Sequence, residues 1–162
     1  MKFSTQEEYG LRLLLQIANR YPESSITIPE LAKLEELREP HVAKLLMILR
    51  KAGFIKSIRG QAGGYMLARN PEEIVLTPVL ASLGGRLYEN GFCERHGGLE
   101  PICVHHGNCG LNALWTDVQN AVDGVLNGKT LKSVLDCHPI AYSPKDHHEF
   151  EESTRLRVSN NS

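Results

Sequence analysis

The sequence predicts a mainly α-helical fold with a small β-hairpin wing, a winged helix-turn-helix followed by a long dimerisation helix. Three observations lead there. Two short amphipathic segments joined by a tight turn occupy residues 27–52, a glycine-tipped pair of β-prone runs follows directly, and one apolar stripe of helical period runs from Leu111 to Leu126. The 162 residues divide into a winged helix-turn-helix region over 1–70, a cysteine-loop and long-helix region over 71–137 and a flexible tail over 138–162.

Taken in order, the first helix is expected to begin at Thr5, because Thr5-Gln6-Glu7-Glu8 has the capping-box spacing. Leu11, Leu14, Leu15 and Ala18 then form its apolar stripe, and Tyr21-Pro22 ends it. Thr27-Ile28-Pro29-Glu30 opens a short second helix with Leu31, Ala32 and Leu34 as its apolar residues. A third helix runs from Glu39 to Ala52, with Gly53 as the residue that closes it. Its Val42, Leu45, Leu46 and Leu49 recur at i, i+3, i+4 and i+7 and face the core, while Pro40, Lys44, Met47 and Lys51 lie opposite.

Phe54 to Ile58 reads as a strand and Tyr65 to Ala68 as its return, joined by the tip Arg59-Gly60-Gln61-Ala62-Gly63-Gly64. Arg59 stands where a wing could place a guanidinium in a narrow, strongly negative minor groove. Thr77-Pro78 fits the N-cap and first residue of another short helix. The stripe Leu111, Leu114, Trp115, Val118, Val122, Val125 and Leu126 marks a helix ending at Gly128, and Thr130 caps a last helix reaching Asp136. An apolar stripe of that length, far along the chain from a DNA-reading head, is expected to be a dimer seam presenting two heads to a two-fold site.

Charge divides the chain in the same place. Up to Arg69 there are eleven Lys/Arg against seven Asp/Glu; beyond it there are seven against twelve. The average of −1 therefore hides a basic first half suited to a polyanion. No apolar run approaches the roughly 18 residues of a membrane span, and the acidic start lacks a signal-peptide core, so a cytoplasmic protein without membrane contact is expected. No catalytic Ser/His/Asp set or phosphate-binding loop is present, which reads as a protein that is not an enzyme.

Residues 92–110 are unlike the rest. They hold Cys93, Cys103 and Cys109, spaced C-x9-C-x5-C, together with His96, His105 and His106, and few side chains able to build a core. In a reducing compartment such cysteines are ligands or sensors before they are disulfides. Soft thiolates suit iron–sulfur clusters, zinc and copper(I), and the long gaps are unlike the C-x2-C knuckle of structural zinc. Cys137, beside His138 and beyond the long helix, could supply a fourth ligand but reads first as a partly buried or inert thiol.

The run from Lys51 to Arg69, with Ile58-Arg59-Gly60-Gln61-Ala62-Gly63-Gly64-Tyr65 at its centre, closely resembles the wing of the IscR/NsrR-type (Rrf-type) bacterial transcriptional regulators. The opening Glu8-Tyr9-Gly10-Leu11-Arg12, the C-x5-C pair before Leu111 to Trp115, and Thr130-Leu131 extend the resemblance over residues 1–136. It implies a homodimeric regulator that binds a double-stranded DNA operator and carries an iron–sulfur cluster, 2Fe–2S or 4Fe–4S, in each subunit. It implies Cys93, Cys103 and Cys109 as ligands and a fourth ligand that varies among members. One branch uses a histidine three residues after the last cysteine, where this chain has Asn112. Another uses an acidic residue early in the first helix, supplied by the partner subunit, and Glu8 stands there. A capping role for Glu8, and ligation by His105 or His106, are the alternatives. The first cysteine gap is longer than the usual family spacing.

On this reading Pro40, His41 and Lys44 approach base edges, and Lys51 and Lys56 contact phosphates, with Arg59 in the wing. The cluster would report redox state, nitric oxide or iron–sulfur supply. The alternatives are a cluster-free winged-helix regulator switched by thiol/disulfide chemistry, and an iron–sulfur electron carrier, which would leave the winged helix without a purpose.

Overall fold

A computed structural model describes residues 4–61, 63–88 and 109–137. Helix α1 (Thr5–Asn19) is followed by α2 (Ile28–Leu34) and α3 (Glu39–Lys51), then by the hairpin β1 (Ile55–Ile58) and β2 (Gly64–Leu67). A 3-10 turn (Pro71–Glu73) leads to α4 (Leu76–Gly84), and beyond the cysteine segment lie α5 (Gly110–Asn127) and α6 (Leu131–Cys137). The expected winged helix-turn-helix and long helix are both present. None of the described helices is long and apolar enough to cross a membrane. The tail over 138–162 lies outside the described residues.

Helix α1 begins at Thr5, but its cap is Ser4, not Thr5. The Ser4 hydroxyl accepts from the Glu7 backbone N–H at 3.2 Å, and the Glu7 carboxylate accepts from the Ser4 N–H at 2.7 Å. Ser4-x-x-Glu7 and Thr5-x-x-Glu8 fit the pattern equally well, so local sequence leaves the frame open. Packing chooses it: the Gln6 amide donates to the Leu83 carbonyl at the end of α4, and the Glu7 side chain lies against Gly84. Glu8 is left exposed, with no capping duty. The core stripe of α1 is also rotated from the expected one. Leu13, Leu14, Ile17 and Ala18 are buried, while Leu11 and Leu15 flank them half-buried.

Thr27 and Glu30 make a full capping box at the start of α2, as the sequence predicts. The Thr27 N–H and then the Thr27 hydroxyl, helped by Arg20, hold the Glu30 carboxyl below the usual carboxylate range. Helix α3 buries the expected Val42, Leu45, Leu46 and Leu49 and closes at Gly53, whose φ of 79° suits a residue without a Cβ. These side chains meet Leu13, Leu14 and Ile17 of α1, Leu31 of α2, Ile55 and Leu67 of the hairpin, and Val79 and Leu83 of α4 in one core. Each fully buried leucine or isoleucine contributes roughly 1.5–3 kcal/mol.

The hairpin is antiparallel, pairing Ile55 with Leu67 and Ile58 with Gly64. Near the tip, β2 is anchored by a bridge in which the Ile26 N–H donates to the Tyr65 carbonyl at 2.9 Å and the Tyr65 N–H to the Ile26 carbonyl at 2.8 Å. A Cβ on Gly64 would come within 2.7 Å of the Ile26 carbonyl oxygen, so this glycine is required for the wing to sit on the helices.

Thr77 does not cap α4. The helix starts two residues earlier than expected, at Leu76, with Val75 as an N-cap that makes no side-chain bond. The cause is long-range. Val75 bridges Thr130, the Leu76 N–H donates to the Lys129 carbonyl at 3.0 Å, and the Thr77 hydroxyl donates to Asn127 Oδ1 at 2.7 Å. Pro78 falls in the first turn, where its missing N–H has no partner to lose. At the start of α6, Thr130 caps as expected: its hydroxyl accepts from the Ser133 N–H, and the Ser133 hydroxyl accepts from the Thr130 N–H.

Candidate DNA interface and cysteine segment

With its inner face in the core, α3 turns Pro40, Lys44, Met47 and Lys51 to solvent. Lys56 is exposed on β1, and Arg59 is exposed at the start of the hairpin tip. Five of the six residues expected to meet DNA are therefore free to do so. The sixth, His41, is half-buried, its ring edge-on to Tyr9 with centroids 5.6 Å apart and planes at 82°. Arg38 and Arg50 are also exposed on or beside α3 and were not singled out by the sequence, where they are two basic residues among eighteen.

The geometry of the helix pair rests on a side-chain chain that sequence reasoning missed. Arg12 Nε donates to Glu35 Oε2 at 2.5 Å, and Gln16 Nε2 donates to Glu35 Oε1 at 2.7 Å. Glu35, the C-cap of α2, is 8% exposed, so a charged carboxylate is held inside by two donors from α1. The Arg12 guanidinium lies 5.5 Å from the Tyr9 ring centroid, and Tyr9 in turn meets His41 at the head of α3. One face of α1 thus sets the positions of both members of the helix-turn-helix. No local pattern announces this, because Glu35 sits among Glu30, Glu36 and Glu39 and looks like any surface acid.

Of the three loop cysteines, Cys109 lies within the described residues; Cys93 and Cys103 do not, nor do His96, His105 and His106. Cys109 is half-buried at the N-cap of α5 with a free thiol, and no side chain caps the helix there. That end of an 18-residue helix favours a net-negative group, which suits a cluster ligated by thiolates. The other flank of the segment is tied to the same helix. The Tyr88 N–H donates to Gln119 Oε1 at 3.0 Å, Gln119 Nε2 donates to Asp123 Oδ1 at 2.9 Å, and Arg86 pairs with Asp123. Gln119 is 5% exposed and was not anticipated from the sequence. Tyr88 and Cys109, the described residues on either side of that segment, are therefore both held on α5. Among the described residues no three His, Cys, Asp or Glu side chains come together to hold a metal ion, and Glu8 is exposed on the first turn of α1. Cys137, expected to be partly buried or inert, is instead exposed, with a free thiol, at the end of α6.

The outer face of α5 is the other conspicuous surface. Leu111 is 61% exposed, Leu114 50%, Trp115 42% and Val125 66%, while Val118 and Val122 between them are half-buried. Leu126 alone of the stripe packs on the core, beside the Thr77–Asn127 contact.

A family model described as Rrf2, iron-dependent transcriptional regulator, matches residues 3–137. The chain is 31% identical over 135 residues to Protein rrf2 of Nitratidesulfovibrio vulgaris, covering 83% of this chain and 87% of that protein. It is 31% identical over 134 residues to the HTH-type transcriptional regulator CymR of Bacillus subtilis, covering 83% and 89%. Among solved structures it resembles T. potens IscR with a TM-score of 0.68 at 28% identity, covering 88% of this chain and 93% of that one. It also resembles the oxidized form of Staphylococcus aureus CymR, with a TM-score of 0.64 at 29% identity, covering 83% and 95%.

Proposed function

Because the chain belongs to the Rrf2 family of transcriptional regulators, we propose that it is a cytoplasmic homodimer that binds a two-fold DNA operator and senses redox state, nitric oxide or iron–sulfur supply. The observation that carries the DNA reading is the exposed face of α3, with Lys44 and Lys51, standing on a core that also seats the Arg59 hairpin. Lys44 approaches base edges from the recognition helix, with Pro40 and His41 at its head. Lys51 and Lys56 contact phosphates and set register, and Arg59 enters the minor groove.

Cys93, Cys103 and Cys109 are the proposed cluster ligands, with Glu8 of the partner subunit as the fourth. The capping role that competed for Glu8 belongs to Glu7, which supports this assignment. A bound cluster would supply one-electron redox chemistry and a target for nitric oxide. The protein's own part is mechanical. Gln119 and Asp123 hold one flank of the cysteine segment and Cys109 begins the other, so order in that segment is felt along α5. The Gln6–Leu83 contact joins the α4 side of the segment to α1, whose Tyr9, Arg12 and Gln16 position α2 and α3. A change at the cysteines thereby alters the setting of the DNA-reading helices.

Two measurements test this. Protein purified without oxygen is expected to be coloured and to contain iron and acid-labile sulfide, and Cys103→Ala is expected to lose both. A colourless, iron-free protein after reconstitution would instead support a thiol/disulfide switch, which the resemblance to CymR fits in part. For the wing, Arg59→Ala is expected to weaken operator binding about tenfold, as loss of a minor-groove guanidinium should. Unchanged affinity on every A·T-flanked site would remove Arg59 from the interface.

A further inference from the structure

The face that α3 offers to DNA is poor in hydrogen-bonding groups. Pro40, Lys44, Met47 and Lys51 follow one another along it at i, i+4, i+7 and i+11, all exposed, with half-buried Ala43 beside them. At the head of the helix Arg38 and Glu39 are exposed to the side of this face, and His41 is turned onto Tyr9. Lys44 is therefore the one donor in the middle of this face. Met47 is 43% exposed. The other large apolar side chains exposed among the described residues, Leu87, Leu111, Leu114, Trp115 and Val125, lie on α5 or in the segment that runs onto it.

A single exposed methionine on a protein surface needs no explanation. Met47 differs in its setting, one turn from Lys44 and one turn from Lys51, on a helix whose ammonium groups suit a phosphate-lined groove. The major groove presents one apolar feature, the 5-methyl group of thymine. A thioether side chain is flexible and polarisable enough to pack on it.

Building on the DNA-binding reading above, we propose that Met47 is a specificity-determining residue that reads thymine methyl groups in the major groove, with Ala43 beside it and Lys44 supplying the polar base contact. Operator half-sites are then distinguished by where thymines stand as much as by hydrogen-bonding pattern.

The test begins with selection of an operator from random duplex DNA by the full-length protein. Each thymine of the half-site is then replaced in turn by deoxyuridine, which keeps every hydrogen-bonding group and lacks only the methyl. At one or two positions per half-site, uracil is expected to weaken binding about threefold to fivefold, the scale of one methyl group returned to water. Met47→Ala should weaken binding to the thymine operator by a similar factor and leave binding to the uracil operator unchanged. Met47→Leu, which keeps the apolar bulk, should retain discrimination between thymine and uracil. Because Met47 is exposed, circular dichroism of both variants is expected to match the parent. A selected operator indifferent to uracil at every position, or a Met47→Ala loss equal on both duplexes, overturns this proposal alone. Failure to select any sequence overturns the DNA-binding reading and this proposal with it.

Discussion

Leu114→Glu is expected to convert the proposed dimer to a monomer at micromolar concentration and to lower operator affinity at least about 100-fold. Leu111, Leu114, Trp115 and Val125 project from α5 with between 42% and 66% of their surface exposed, although each belongs to an apolar stripe of helical period. Covering the exposed part of such a side chain is worth about 1 kcal/mol, and a two-fold interface uses each of them twice. One glutamate per subunit on the proposed seam brings two carboxylates into an apolar setting, at a cost of several kcal/mol. Two heads on one dimer bind a two-fold site far more tightly than two independent heads, because the second contact is intramolecular. Sedimentation equilibrium and gel-shift titration read the two effects separately. Since Leu114 is half exposed, its helix content should survive the change. A stable dimer after substitution would move the seam away from α5.

Glu35→Ala is expected to lower stability by about 2–3 kcal/mol, or roughly 10 °C in Tm for a domain of this size. The Glu35 side chain is 6% exposed and receives both Arg12 and Gln16. Removing it strands the buried amide of Gln16 and frees the end of α2 from α1. Arg12 is 43% exposed and can be rehydrated, which keeps the loss below that of a wholly buried pair. Arg20→Ala provides the contrast. The Arg20–Glu30 pair spans 3.3 Å with 35% and 48% of its side chains exposed, and its removal should cost less than about 0.5 kcal/mol. Denaturant titration of the two variants compares them directly; equal losses would show that Glu35 does not anchor the helix pair.

The two variants also mark the limits of sequence reading. The apolar face of α3 was legible because four core residues at i, i+3, i+4 and i+7 leave one way to bury a helix, and Thr27-x-x-Glu30 was legible because its cap is closed within one turn. The hairpin was legible from the glycines that its turn demands. Glu35 was not, since an acid becomes structural only when residues 19 and 23 positions away present donors to it. The caps of α1 and α4 were misplaced by one or two residues for the same reason. Ser4 and Val75 were selected by contacts with Leu83, Gly84 and Thr130, far along the chain. Among candidate site residues, the exposure of Lys44, Lys51, Lys56 and Arg59 follows from periodicity. The engagement of His41 with Tyr9 does not.

What could be deduced without coordinates was whatever depends on neighbours within a few residues: helical period, turn chemistry, the basic bias of the first half and the grouping of Cys93, Cys103 and Cys109. These features have a physical range of one or two helical turns, so the order of residues encodes them directly. The fold decided what depends on distance in sequence. It chose the frame of α1 and so released Glu8 from capping, buried Glu35 between helices, tied Tyr88 to Gln119, and, among the described residues, left Leu111, Leu114, Trp115 and Val125 of α5 exposed. A buried polar group must find its partner wherever the chain returns, and an apolar face is covered or left bare only once every other element has taken its place.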